Sequence, residues 1–188
     1  WPEGFDPRRT VLLDSAGPAV DSPALEIPDE ACQVLVSVTG MAARTATPEP
    51  PQAGPRRVAH DALLAVIPAT TRGRVAVFTS SGQVLPLEVV DLPALPATAD
   101  SPSLKATVSV RDFLHLEPDS EVAGVAAYGS TVTLVTALGK VKRLAVEPGA
   151  KQALAMDPKD ELVAAFIADE AADVIFITSA GQLLRTAV

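Results

Sequence analysis

Four stretches of this chain superpose on a glycine. They are VLVSVTGMAAR from Val34 to Arg44, VAVFTSSGQVLP from Val75 to Pro86, TLVTALGKVKR from Thr133 to Arg143, and IFITSAGQLLR from Ile175 to Arg185. In each, an apolar run leads to a Ser or Thr three places before the glycine, and an apolar residue stands two places after it. The glycines fall at 40, 82, 139 and 181, spaced by 42, 57 and 42 residues. A self-similar period of this size marks propeller-like arrays, in which one unit cannot bury its faces alone. Locally, each stretch reads as a strand, a short turn that uses glycine for a positive φ, and a second strand: a β-hairpin.

Further strands follow from the pieces between hairpins. Before the last two lies an acidic, proline-containing turn running into an apolar strand, EPDSEVAGV from Glu117 and DPKDELVAAF from Asp157. The stretches Ser103–Val110 and Ala150–Met156 are candidates for a fourth strand, which would make a four-stranded blade. The Pro-rich connectors TATPEPPQAGPRR and LPALPATADSPS are read as loops, and the second accounts for the 57-residue spacing. With 17 Pro and 11 Gly spread through 188 residues, no long helix is expected. Hydrophobic residues make up 48% but aromatics only 4%, so the core should be built from many small aliphatic contacts, which suits sheet. The expectation is an all-β chain forming one domain over residues 1–188, with hairpin repeats near 33–46, 74–90, 131–146 and 173–187.

Several function classes lose support at this level. The lone Cys32 excludes an internal disulfide and a multi-thiolate metal site, and fits a reducing compartment, so the cytoplasm is the expected location. No stretch has the roughly 18 apolar residues that span a bilayer. The start WPEGFDPRR has no signal-peptide layout and no Met, which reads as a fragment of a longer protein. His60 and His115 lie in different repeats without ligand-type neighbours. Gly139–Lys140 lacks the Ser or Thr of a phosphate loop because Val141 follows. No catalytic, cofactor-binding or metal-binding residue is assigned, and Tyr128 is given no catalytic part. The net charge of −8 repels a duplex at long range, so any nucleic-acid contact must be local.

The hairpins VFTSSGQVLPL, LVTALGKVKRL and FITSAGQLLRT resemble those of the C-terminal domain of the A subunit of bacterial type IIA topoisomerases, DNA gyrase and topoisomerase IV. DPRRTVLLD is similar to the strand by which the chain leaves the cleavage core in that family, and DFLHLEPDSEVAGV and LAMDPKDELVAAF to its connecting strands. The resemblance implies a β-pinwheel, a propeller-like disc of four-stranded antiparallel blades with strands exchanged between neighbours. It leaves open whether about four hairpins close that disc. It also implies binding and bending of duplex DNA along a basic rim, orienting the transported segment for ATP-dependent strand passage. The partners would be double-stranded DNA, the cleavage core of the same subunit and the ATPase B subunit of the heterotetramer, at the nucleoid, with no membrane. ATP and Mg2+ would act elsewhere in the enzyme, with no cofactor in this domain. The Gln-Arg-Arg-Gly-Gly-Lys-Gly box of gyrase wrapping is missing from these residues and only four hairpins are present, which inclines the resemblance toward topoisomerase IV or a gyrase-like relative.

Carried over residue by residue, the resemblance points to Arg44, Arg72, Arg74, Lys140, Lys142, Arg143 and Arg185 as phosphate contacts. Strand alternation divides them. Ala42, Val141 and Leu183, two places after their glycines, are expected to be buried and share a face with Arg44, Arg143 and Arg185, which could instead brace the neighbouring blade. Lys140 and Lys142 have the opposite parity and should face outward. Arg56 and Arg57 in the Pro-rich connector are weaker candidates. Pro86 takes the arginine position of the second hairpin, so that blade should bind DNA less. The rival reading is an acidic protein-interaction propeller that docks on a basic partner such as the topoisomerase core.

Overall fold

The computed structural model describes residues 27–52, 62–96, 102–169 and 171–187. Arg56, Arg57, His60 and the DPRRTVLLD segment lie outside the described residues. The four expected hairpins are all present: β1 (Ala31–Ser37) with β2 (Met41–Thr45), β4 (Arg74–Thr79) with β5 (Val84–Glu88), β9 (Thr131–Thr136) with β10 (Val141–Ala145), and β12 (Asp173–Ile177) with β13 (Leu183–Ala187). Between them run β3 (Leu63–Thr70), β6 (Ala94–Leu95), β7 (Val108–Ser109), β8 (Val122–Ala127) and β11 (Leu162–Phe166). Among the described residues the one α-helix, α1, is Val110–Phe113.

The recurring Ser or Thr has a structural reason. Its hydroxyl accepts the N–H of the residue after the glycine in all four hairpins: Met41 to Ser37, Gln83 to Thr79, Lys140 to Thr136 and Gln182 to Thr178, at 3.1 to 3.2 Å. The glycine N–H meanwhile reaches back to the carbonyl of that same Ser or Thr, as in Gly139 N to Thr136 O at 3.0 Å. Closing the loop this way puts the glycine in the left-handed region, with φ of 76°, 78°, 82° and 75° at positions 40, 82, 139 and 181.

Each connecting strand completes the hairpin before it and then opens the next one. The strand orders β3-β1-β2, β8-β4-β5 and β11-β9-β10 repeat one arrangement three times. The acidic turns expected to lead into strands do so, and β8 and β11 pair antiparallel with β4 and β9 of the preceding blades. The later connections reach back in a second way. Val110 N–H donates to Gly40 O at 2.8 Å and Ala153 N–H to Gly82 O at 2.9 Å, so a segment following one hairpin clamps the tip of the blade before it. Strands are thus exchanged between neighbouring blades, in a nearly all-β chain of the pinwheel type.

The fourth strand is realised unevenly. In blade 1 the piece around Val108–Ser109 pairs with Met41 and Ala42. In blade 2 its counterpart makes a single bridge, Gln83 with Gln152. The connector read as a loop contains a strand: β6 lies parallel to β2, with Ala94 opposite Arg44 and Leu95 opposite Thr45.

The core sits between blades in layers. Val34, Val36 and Ala42 of blade 1 meet Val75, Val77 and Leu87 of blade 2, with Cys32 buried among them and its thiol pushed up by that burial. On the other face of blade 2, Ala76, Phe78 and Val84 meet Val132 and Leu134 of blade 3, closed by Val146 and Leu162. The close approach of β8 and β11 requires a glycine, since a Cβ on Gly124 would lie 2.0 Å from the Ala165 carbonyl oxygen. Leu35 and Ala43 on the outer face of blade 1 are covered by Leu104.

Two burial expectations fail. Ala42 is fully buried, but Val141 and Leu183 are 48% and 66% exposed. The alternation that aligns them with Ala42 sets which way a side chain points. Whether anything covers it depends on the next blade, and no layer of buried residues forms beyond Val141 or Leu183 among the described residues.

Candidate nucleic-acid interface

Strand β10 is the outer strand of blade 3 and carries three of the candidate cations, Lys140 at its tip with Lys142 and Arg143 behind it. Register places Lys142 opposite Leu134 and Arg143 opposite Thr133, so the two alternate between faces as strand geometry demands. All three side chains are exposed. Their surroundings differ. Lys142 Nζ donates to the Ala153 carbonyl at 3.1 Å, tying β10 to the segment that clamps blade 2. Lys140 Nζ is ion-paired with Asp157 and lies 3.8 Å from Asp160 Oδ2. The Asp157 carboxylate, with Asp160 adding to it, holds the Lys140 ammonium above its ordinary range.

Asp160 is the anchor of that tip. Its Oδ1 accepts the N–H groups of Leu138 and Glu161, both at 3.0 Å, and its side chain is fully covered. Burial on its own would raise the carboxyl. The hydrogen bonds from Leu138, Thr136 and Glu161, with the Lys140 charge, outweigh it and hold the group below the ordinary carboxylate range. Asp157 and Asp160 stand in the repeat where blade 2 has Glu117 and Ser120, so an acidic turn that in the sequence only leads into a strand faces the lysine tip in the fold.

The remaining candidates are scattered. Arg185 donates through Nε to Asp173 at 2.7 Å within its own hairpin, so its brace joins two strands of one blade. Arg44 is half-buried beside β6, its backbone N–H donates to the Pro93 carbonyl at 3.0 Å, and its Nε is buried with no hydrogen-bond acceptor among the described residues. Arg74 is held by Glu88 at 2.6 Å, which raises its already high guanidinium pKa further. Arg72 is exposed, and its backbone N–H donates to Asp29 at 2.9 Å. Arg72 and Arg74 open onto a groove of about 1070 Å³ beside β5 that also takes in Lys151, Gln83, Gln152 and Tyr128. Lys151 was not a sequence candidate, because it stands in the Ala150–Met156 stretch, outside the hairpins that supplied the candidate cations. Only the fold brings that connector alongside hairpin 2.

No protein-family model matches the sequence, and no curated protein matches it in sequence. Solved structures do match in fold. The C-terminal domain of DNA topoisomerase IV superposes with a TM-score of 0.60 at 18% identity, covering 85% of this chain and 52% of that one. The E. coli ParC C-terminal domain superposes with a TM-score of 0.53 at 16% identity, covering 84% of this chain and 65% of that one. The chain therefore spans between half and two thirds of the length of the domains it matches. The family resemblance noted in the sequence is borne out as a resemblance of fold.

Proposed function

We propose that this chain is a duplex DNA-binding and DNA-bending domain of a type IIA topoisomerase A subunit, and that it orients the transported segment for ATP-dependent strand passage. The observation that supports this most is the shared pinwheel fold, with a cationic outer strand on blade 3 in an otherwise acidic chain. Lys140, Lys142 and Arg143 meet the phosphates. Sequence-independent contact needs no reader of base edges, only cations along the path of the backbone. Lys140 exchanges the Asp157 carboxylate for a phosphate, which conserves its ion pair and lowers the net gain per contact. The domain takes no part in cleavage chemistry and needs no cofactor of its own. Its other partners are the cleavage core and the ATPase subunit.

A salt titration of duplex affinity tests the contact. Lys140→Ala combined with Lys142→Ala flattens the log-log slope by about 1.8, at about 0.9 per phosphate contact. An unchanged slope removes these lysines from the interface.

A second reading draws on the ion pairs. Lys140, Arg74 and Arg185 are each already matched to a carboxylate. An acidic disc with its cations so occupied would dock on a basic partner such as the topoisomerase core. Absence of duplex binding at low salt together with binding to the core would select this reading.

A further inference from the structure

Blades 1 and 2 differ at one edge position. In blade 1 the chain's own segment Leu92–Leu95, extended and containing Pro93, lies along the outer strand β2. The Arg44 N–H donating to Pro93 O holds it there. Pro86 occupies the place of Arg44 in blade 2, four residues after the glycine, and has no N–H to give. No strand pairs with β5 at that point among the described residues, and the groove beside it stands open.

What remains to recognise an occupant is side chains. Leu85, Pro86, Tyr128 and Pro148 line the groove with apolar surface. Arg72, Arg74 and Lys151 bring three cations to it, from two different segments of the chain. Arg74 already serves Glu88, whereas no hydrogen bond or ion pair of the Arg72 or Lys151 side chain is found among the described residues. We infer that this groove is a docking site for an extended acidic peptide that carries leucine or proline between its carboxylates. The blade 1 edge is the precedent for leucine and proline, because a Leu-Pro-Ala-Leu segment fills the equivalent place there. The missing donor at Pro86 withholds strand pairing, so a second copy of that segment gains little from the backbone. Charge complementarity to Arg72 and Lys151 supplies the recognition instead. An apolar lining suits leucine and proline better than a phosphodiester backbone, which is polar along its whole length. The site is separate from the lysines of β10, so it stands or falls independently of DNA binding there.

Fluorescence anisotropy of the whole chain with a labelled peptide, Asp-Asp-Leu-Pro-Ala-Leu-Asp-Asp, tests the inference. The peptide binds, its all-Asn counterpart binds about tenfold more weakly, and Arg72→Gln with Lys151→Gln weakens the acidic peptide by about tenfold. Lys151→Gln alone leaves short-duplex affinity within about threefold, as expected for an exposed side chain away from β10. An unaltered urea midpoint shows that the double variant remains folded. Three results overturn the inference: no binding of the acidic peptide, equal binding by the variant, or a loss of duplex affinity as large as the loss of peptide affinity. The last would make the groove a phosphate site.

Discussion

The second and fourth hairpins carry the same turn and opposite surroundings. In both, a threonine hydroxyl accepts the N–H after the glycine, and the glycine φ values are 78° and 75°. Yet Phe78 and Val84 are 0% and 2% exposed, while Ile177 and Leu183, at the same places in the repeat, are 73% and 66% exposed. Register even pairs them alike, Phe78 opposite Val84 and Ile177 opposite Leu183. The hairpin is therefore a local object, closed by hydrogen bonds within a few residues. Its contribution to the core is a property of the neighbours it acquires.

That contrast can be broken by mutation. Phe78→Ala should cost about 3 to 5 kcal/mol in urea unfolding, because it empties the layer between blades 2 and 3. A cost under about 1 kcal/mol would mean that the layer is not a packed core. Gly124→Ala probes the same layer by crowding it. With a Cβ directed at the Ala165 carbonyl and no flexible side-chain end to yield, it should destabilise by about 1 to 3 kcal/mol.

A smaller, local effect is expected at the blade 3 tip. The Asp160 carboxyl is held below its ordinary value of 3.8 by the Leu138 and Glu161 N–H groups, so its contribution is complete above that pH and is lost as pH falls through the lower folded value. Followed by NMR, the Leu138 amide should titrate with a midpoint below the ordinary value of 3.8, and Asp160→Asn should abolish the transition. A midpoint above the ordinary value would reverse the assignment. At the other end of the scale, Ile177→Ala should change stability by less than about 0.5 kcal/mol despite removing a large apolar side chain. A loss near that of Phe78→Ala would show that blade 4 is covered in solution.

Much of the fold was legible because its signals are short-range. The four glycines, the Ser or Thr three places before each, and the apolar strands after the acidic turns were read from spacing, and each landed where expected. The Leu92–Ser103 connector was misread because β6 is two residues long, too short for alternation to register, and it is held by the backbone of Arg44. Burial of Val141 and Leu183 was misjudged for a related reason. Periodicity reports direction, and covering requires another blade.

The candidate interface was legible only as a set of charges. Sequence parity turned Lys140 and Lys142 outward, and both are exposed. Parity carried no information about Asp157 and Asp160, which lie 17 and 20 positions along the chain and return to the Lys140 tip through β11. Nor could it join Arg72 to Lys151 across the edge of β5.

By itself the sequence determined the repeat, the turn chemistry and the acidic balance, since each rests on bonds between near neighbours or on composition. Tertiary structure alone decided which hairpins are core and which are surface, which lysine is matched by a carboxylate, and where an edge is left open. Those outcomes depend on segments from different repeats arriving at one place, and at Pro86 on a donor that the returning chain would need and does not find.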